Sequence, residues 1–224
     1  MKEWFEREKQ KLEGYSKAEK AEYIWRYYKL WIIGIISAVV IVVYVAVIML
    51  TGVDEQNIYV AFVSAKTEIG GESDFQKGYA SYTDTDLKKE AVTFDTGFYL
   101  DLSKGLPMGD TYFQKLVVLL DSGTVDAVVM EKDNLETFAE TGRLIDLSND
   151  KTKALMDKYS DRIIIIDYTD EEGNQMRIPV GIDVSDSILV TQENAYESSC
   201  VLGISGEVEH VEAVTEFLSY ILGE

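Results

Sequence analysis

An uninterrupted apolar run at residues 30–50 constrains the folding of this 224-residue chain more than any other feature. The run reads LWIIGIISAVVIVVYVAVIML and holds no charged residue. A helix of this length reaches about 31 Å, close to the roughly 30 Å hydrocarbon thickness of a bilayer. Strands of a water-soluble β-rich core end after about eight residues and are separated by turns. The run therefore predicts a transmembrane helix over residues 30–51.

Charges on the two sides of this run predict its orientation. Residues 1–29 hold eight Lys/Arg and six Glu, a net charge of +2, whereas residues 30–224 carry a net charge of -21. Arg26 and Lys29 directly precede the run, and the first basic residue after it is Lys66. The positive-inside rule then places the N-terminus in the cytoplasm and the acidic C-terminal part outside the cell membrane. A cleaved signal peptide fits less well, because the leading segment is long and Glu-rich and no Ala-x-Ala site precedes Asp54.

Residues 1–29 are predicted to form a cytoplasmic, amphipathic and aromatic helical segment that continues into the span. Ser16 and Glu19 have the spacing of a capping box, which marks a helix start. Gly34 and Ala38 would let two spans approach closely, so dimerisation stays open. Aromatic and basic side chains next to the span are typical of the membrane interface. These predicted interface residues are Trp25, Arg26, Tyr27, Tyr28, Lys29 and Trp31.

Residues 54–224 are long enough for one globular domain, and their hydrophobic pattern predicts an α/β fold. Strands are predicted at residues 58–63, 91–94, 125–130, 163–168, 176–182, 187–190 and 199–204, and the extended segment that begins at 91–94 continues through residues 98–100. Helices are predicted at residues 75–79, 110–121, 134–140, 150–159 and 208–222. Strand, helix and strand over residues 91–130 indicate a βαβ unit with a parallel pair. An acidic turn at residues 169–174 indicates a hairpin, so the expected sheet is mixed, partly parallel and flanked by helices.

The composition argues against several classes of function. A net charge of -19 opposes binding of nucleic acid, because phosphate is repelled by an acidic surface. Cys200, the one cysteine, lies in an apolar run and is expected to be a small buried hydrophobe. His210 lies among glutamates, where a solvated helix face is expected. No nucleophile–base pair, P-loop or metal-binding motif is visible, so we predict no enzyme activity, no cofactor and no bound metal.

If a ligand pocket exists, it should lie beyond the carboxyl ends of the predicted parallel strands. Asp95 and Thr96 are expected after one strand, Glu131 and Asp133 after the next, and Asp183 after a third. These five residues form the predicted ligand-binding set. The alternative is that they cap helices and turns, with Asp133 well placed as a helix N-cap.

Residues 112–148, YFQKLVVLLDSGTVDAVVMEKDNLETFAETGRLIDLS, resemble a segment of the bacterial extracellular solute-binding proteins that serve ABC transporters. The stretches at residues 178–182 and 200–222 resemble later parts of the same family, and residues 23–29 resemble the leader of single-pass membrane proteins of Firmicutes. The residues that carry the first resemblance are Lys115, Leu116, Gly123, Asp126, Phe138, Ala139, Gly142, Leu144, Asp146 and Leu147. The resemblance implies a fold like one lobe of a type 2 solute-binding protein. The chain also differs from the family. Family members have two lobes and are usually lipid-anchored or free, whereas this domain has room for about one lobe and is fixed by a membrane span.

Three hypotheses follow from these observations. The first is a single-pass bacterial membrane protein whose extracellular domain binds a partner protein of the membrane or envelope, or a small-molecule solute, without catalysis. The second is a substrate-binding component associated with an ABC transporter, and the third is a cell-envelope assembly or scaffold protein. In each of them the lipid bilayer is a partner of the span.

Overall fold

The computed structural model describes residues 14–51, 55–169 and 175–224. The chain divides into two compact units, Met1–Gly52 and Val53–Glu224. Of the predicted acidic turn at residues 169–174, residues 170–174 lie outside the described residues.

In the described part of the first unit, a long helix, α1, runs over Lys17–Thr51. The predicted capping box is confirmed: the Ser16 N–H donates to Glu19 Oε2 (2.7 Å), and the Glu19 N–H donates to Ser16 Oγ (3.4 Å). Within residues 17–47 an 18-residue window has a mean hydropathy of 2.9, and none of it is buried. Since a core helix of a soluble domain would be buried, α1 is compatible with a single-pass membrane anchor.

The second unit is a six-stranded mixed sheet with helices on both faces. Its strands are β1 (Glu55–Val63), β2 (Glu90–Phe98), β3 (Ala127–Glu131), β4 (Ile163–Thr169), β5 (Gln175–Asp183) and β6 (Cys200–Ile204). Its helices are α2 (Asp74–Tyr82), α3 (Thr111–Asp121), α4 (Leu135–Ala139), α5 (Lys153–Lys158), α6 (Ile188–Thr191) and α7 (Val211–Leu222). A 3₁₀ turn at Lys132–Asn134 precedes α4.

The strand order is β2-β1-β3-β6-β5-β4. β1 pairs in parallel with both β2 and β3, and the three remaining contacts, β3–β6, β6–β5 and β5–β4, are antiparallel. The predicted parallel βαβ unit is therefore modified: β2 and β3 run in parallel but do not pair, because β1 lies between them. The predicted hairpin of residues 163–182 is confirmed by the antiparallel pairing of β4 with β5.

The alternation of residues along β1 divides the core into two layers. Ile58, Val60 and Phe62 face one layer, and Tyr59 and Ala61 face the other, as the period of a strand requires. Helices α2 and α7 cover the first layer, where aromatic rings pack with centroids 5.2–6.4 Å apart. These rings belong to Phe62, Phe75, Tyr79, Phe94, Phe217 and Tyr220. Helices α3 and α4 cover the second layer.

Two local predictions are wrong. Residues 187–190 were expected to be extended, but Ser187 precedes the one-turn helix α6, whose Leu189 is fully buried. Asp133 does not cap a helix, because it lies inside the 3₁₀ turn and α4 begins after Asn134. Both stretches are too short for hydrophobic periodicity to separate a helical turn from a strand.

Candidate functional site

The natural place for a ligand in this sheet is the carboxyl end of its parallel strands. β2 lies on one side of β1 and β3 on the other, so the chain changes direction across β1. Open α/β sheets hold ligands in the crevice at such a point, outside the strand ends. We call the space between the ends of β1 and β3 the switch-point crevice.

The side chain of Tyr196 packs in the core beside the switch-point crevice, and its hydroxyl contacts both strands that border it. It is only 2% exposed, and its hydroxyl lies 2.9 Å from the carbonyl oxygen of Val129 in β3 and 3.2 Å from that of Val63 in β1. Burial raises the pKa of this phenol well above its ordinary value, so it remains a neutral hydrogen-bond donor. The backbone of the same loop is tied to the end of β1, where the Lys66 N–H donates to the carbonyl of Ala195 (2.9 Å). The loop that carries Ala195 and Tyr196 is thus fixed against the strands that border the crevice.

Asp95 lies within β2, not after it as expected from the sequence. Its carboxylate accepts hydrogen bonds from the Tyr59 hydroxyl (2.8 Å), Lys115 Nζ (3.0 Å) and the Gly97 N–H (2.8 Å). Partial burial opposes ionisation, but the Gly97 N–H, the Tyr59 hydroxyl and Lys115 together hold the pKa of this carboxyl below its ordinary value. Lys115 Nζ also lies 4.6 Å from the centre of the Phe98 ring. Asp95 therefore ties α3 to β1 and β2.

Thr96 also lies within β2 and points to the opposite face of the sheet. Its buried hydroxyl donates to Glu68 Oε2 (2.7 Å), and Glu68 Oε1 accepts from the Gly70 N–H (3.1 Å). This chain of hydrogen bonds holds the loop before α2 against β2. Asp95 and Thr96 thus have separate structural partners, although they are neighbours in sequence.

The other predicted ligand residues lie near the ends of β3 and β5. Asp183 ends β5 and accepts from Lys132 Nζ (2.7 Å), the Ser185 hydroxyl (2.6 Å) and the Ser185 N–H (3.0 Å). Its partial burial is outweighed by Lys132 and Ser185, which lower the pKa of the carboxyl. Glu131 ends β3, where it is paired in register with Cys200, and Asp133 is exposed. Three strands separate β2 from β5, so Asp95 and Thr96 do not join this group.

The sequence analysis did not identify the basic residues that pair with the aspartates near the ends of β3 and β5. Arg162 forms a bidentate ion pair with Asp186, with N–O distances of 2.6 and 3.0 Å. Lys132 forms an ion pair with Asp183, which lies 51 residues away in sequence. No local sequence pattern predicts such pairs, because the partners come together only through the order of the strands in the sheet.

His210 is not merely solvated, as the sequence suggested. Its Nδ1 lies 3.0 Å from Oδ1 of Asp126, whose side chain is fully buried. The other carboxylate oxygen of Asp126 accepts the N–H of Tyr59 (2.9 Å). The pair therefore fixes the start of α7 to β1 and β3.

Exposed apolar side chains lie around the beginning of α3. Tyr99, Met108 and Tyr112 are 61%, 68% and 47% exposed, and the two tyrosine rings lie 6.3 Å apart. Beside them lies a groove of about 240 Å³, whose lining is half apolar (Leu106, Met108, Phe113 and Val117) and half polar (Gln114, Glu140, Thr141 and Arg143). Exposed aromatic residues and Met of this kind are enriched at protein–protein interfaces.

Cys200 is buried as expected, and burial raises the pKa of its thiol to about 12. Such a thiol is protonated at neutral pH and unreactive.

Comparison of the chain with protein-family models, curated proteins and solved structures finds no match in any of the three. The resemblance to solute-binding proteins therefore stays a prediction from the sequence.

Proposed function

We propose that this chain is a single-pass, membrane-anchored interaction protein that binds a protein partner without catalysis. The observation that carries the proposal is the buried Tyr196, whose hydroxyl is bonded to β1 and β3 beside the switch-point crevice and would hinder entry of a solute there. The exposed residues around α3 give a partner an apolar surface instead. The proposal includes descent of the domain from one lobe of a type 2 solute-binding protein, which is supported by the mixed sheet with helices on both faces.

The orientation of the chain forms part of the same proposal. Residues 1–29 would lie in the cytoplasm and the sheet domain outside the cell, since Lys and Arg are concentrated before the span. Trp25, Tyr27 and Trp31 are 60%, 65% and 74% exposed on α1. This exposure suits aromatic side chains at the level of the lipid headgroups.

The proposal is tested by thermal unfolding of the purified full-length chain in a nonionic detergent, followed by circular dichroism. The panel contains sugars, amino acids, short neutral peptides and divalent metal ions. A ligand that binds the folded state stabilises it, by about 2.7 kcal/mol at a concentration 100 times the Kd, and therefore raises the unfolding midpoint. We expect no solute in the panel to raise it.

An Asp95→Asn variant serves as the sensitivity control, because its expected lower midpoint shows that the assay resolves a small change in stability. A reproducible rise with one solute class would overturn the proposal. It would favour the alternative, a substrate-binding component associated with an ABC transporter.

A further inference from the structure

The two edges of the sheet differ in how they are protected. At the β2 edge, Gln76 Nε2 donates to the carbonyl of Val92 (2.6 Å), and Gly70 approaches so closely that a Cβ there would overlap the carbonyl oxygen of Phe94. The first turn of α2 and the loop before it thus cover β2. At the other edge, β4 pairs with β5 on one side, and no described residue pairs with its outer side. An uncovered edge strand presents a row of backbone donors and acceptors to another chain.

The pairing with β5 shows which groups of β4 point outward at its start. The N–H of Asp183 donates to the carbonyl of Arg162 (2.8 Å), so these two residues form a hydrogen-bonded pair. Hydrogen-bonded and non-hydrogen-bonded pairs alternate along an antiparallel ladder. Ile163, opposite Ile182, therefore belongs to a non-hydrogen-bonded pair, and its N–H and carbonyl point away from β5.

The register of β4 with β5 shifts between Ile164 and Ile165, so the outward groups beyond this point are inferred from Pro179. Pro179 lies opposite Ile165, has no N–H, and its carbonyl accepts from the N–H of Leu147 (2.8 Å), which is outside β4. Ile165 therefore makes no backbone hydrogen bond to Pro179, and its own N–H and carbonyl face outward. Ile163 and Ile165 together offer two donors and two acceptors at the strand spacing of an added β-strand.

The side chains of β4 suit pairing with another strand. Four consecutive isoleucines, residues 163–166, have high β-propensity and include no Lys or Pro of the kind that protects an edge. Ile165 is 49% exposed although it lies in a strand. Addition of a strand would place a side chain directly beside Ile165 on the same face of the sheet.

The charges around β4 indicate what kind of segment would pair with it. Asp161 and Asp167 are exposed near its two ends, and the sequence continues with three acidic residues at 170–172. The nearby cations are already engaged, Arg162 with Asp186 and Arg177 with Asp167. A second copy of β4 would bring the same acidic ends, and like charges across strands are destabilising.

We propose that the open edge of β4 accepts an extended segment of the partner protein by strand addition, and that this segment is β-branched or apolar in its middle and carries Lys or Arg at its ends. Main-chain hydrogen bonds would supply affinity, and the basic ends would supply attraction to the acidic surroundings. This inference rests on the proposed function, because it adds the β4 edge to the exposed residues around α3 as a surface for the partner and names the chemistry of the segment that binds there.

The experiment measures binding of a labelled, end-blocked decapeptide, KKTVTVTVKK, to the full-length chain in nonionic detergent by fluorescence anisotropy. Ile165→Pro removes the outward N–H and leaves the hydrogen bonds between β4 and β5 in place, since proline is tolerated at an outward edge position. Ile165→Thr is the matched control, because it keeps both the N–H and the β-branched shape. We expect the proline variant to bind at least 10-fold more weakly and the threonine variant to bind within 2-fold of the wild type. The peptide EETVTVTVEE should bind the wild type at least 10-fold more weakly than the basic peptide.

Three results would overturn the inference. They are absence of peptide binding to the wild type, equal binding to the proline variant with an unchanged circular dichroism spectrum, and self-association of the chain that Ile165→Pro abolishes. The last would assign the edge to a second copy. Each of them is distinguishable from failure of the proposed function, which would appear as a solute-induced rise in the unfolding midpoint.

Discussion

At the residue scale, the position of Tyr196 decides how the carboxyl edge of the sheet can be used. Its phenol is buried and shares its hydroxyl between the carbonyls of Val129 and Val63. We predict that Tyr196→Phe lowers the free energy of unfolding by about 1–3 kcal/mol, because two buried acceptors lose their donor. Chemical denaturation followed by circular dichroism measures this change.

Tyr99→Phe is the control for this experiment, since the Tyr99 side chain is exposed and should change stability by less than about 0.5 kcal/mol. Equal stability of the Tyr196→Phe variant and the wild type would contradict the structural role given to this hydroxyl.

Asp95 allows a prediction about pH. Its pKa is lowered in the folded chain by hydrogen bonds from Gly97, Tyr59 and Lys115, which outweigh the effect of burial. The unfolded state therefore binds more protons than the folded state near the ordinary aspartate pKa of about 3.9. The stabilisation by Asp95 is fully present above that value and is lost as the pH falls through the lower, folded pKa.

We accordingly expect the unfolding midpoint of the wild type to fall as the pH is lowered below about 4, and that of Asp95→Asn to fall less over the same interval. The measurement is a series of thermal unfolding curves between pH 7 and pH 2. Parallel pH profiles for the two proteins would contradict the assignment.

Residues that act on near neighbours could be predicted from the sequence, whereas residues that act across the sheet could not. The capping box of Ser16 and Glu19 needs only a spacing of three residues and is confirmed. The ion pair of Lys132 with Asp183 and the contact of His210 with Asp126 join residues 51 and 84 positions apart. Such contacts depend on the strand order, which no local pattern contains.

At the element scale, long periodic segments were predictable and short ones were not. The helices predicted at residues 110–121 and 208–222 correspond to α3 and α7, because each has a wide apolar face. The strand expected at residues 187–190 is instead the single turn α6. In so short a stretch, tertiary packing of Leu189 outweighs the local preference of Ile and Val for strands.

The loop that covers the β2 edge provides a test at the scale of an element. Gly70 has no space for a Cβ beside the carbonyl of Phe94, whereas Gly109 has no atom within 4 Å of the same position. We predict that Gly70→Ala lowers the free energy of unfolding by about 1–3 kcal/mol, because the loop must move away from the edge.

Gly109→Ala is the matched control, and it should stay within about 0.5 kcal/mol of the wild type. Chemical denaturation compares the variants with the wild type. A Gly70→Ala variant as stable as Gly109→Ala would show that the loop does not need to approach β2 so closely.

At the scale of the whole molecule, the sequence indicated an α/β class with a mixed sheet but not its strand order. β6 comes last in the chain, yet it lies between β3 and β5, where it is fully buried. The sequence shows only that residues 200–204 are apolar, which suits any central position. The contact of Tyr196 with β1 and β3 likewise depends on the strand order, which places these two strands side by side. The sequence alone therefore could not show what surrounds the predicted ligand-binding residues.

The orientation of the chain in the membrane is the last prediction. Lys17 lies at the start of α1, before the apolar run, and Lys104 is a highly exposed side chain of the sheet domain. The native Cys200 is buried with a thiol pKa of about 12, so the wild type is an unreactive background for labelling. Lys17→Cys and Lys104→Cys therefore report separately on the two sides of the span.

We expect a membrane-impermeant maleimide to label Lys104→Cys on intact protoplasts, and to label Lys17→Cys only after the membrane is permeabilised. The physical reason is the excess of Lys and Arg directly before the span, which favours retention of that side in the cytoplasm. Labelling of Lys17→Cys alone on intact protoplasts would place the sheet domain in the cytoplasm. The β4 edge would then meet cytoplasmic partners, and a basic segment would have to be sought among proteins of that compartment.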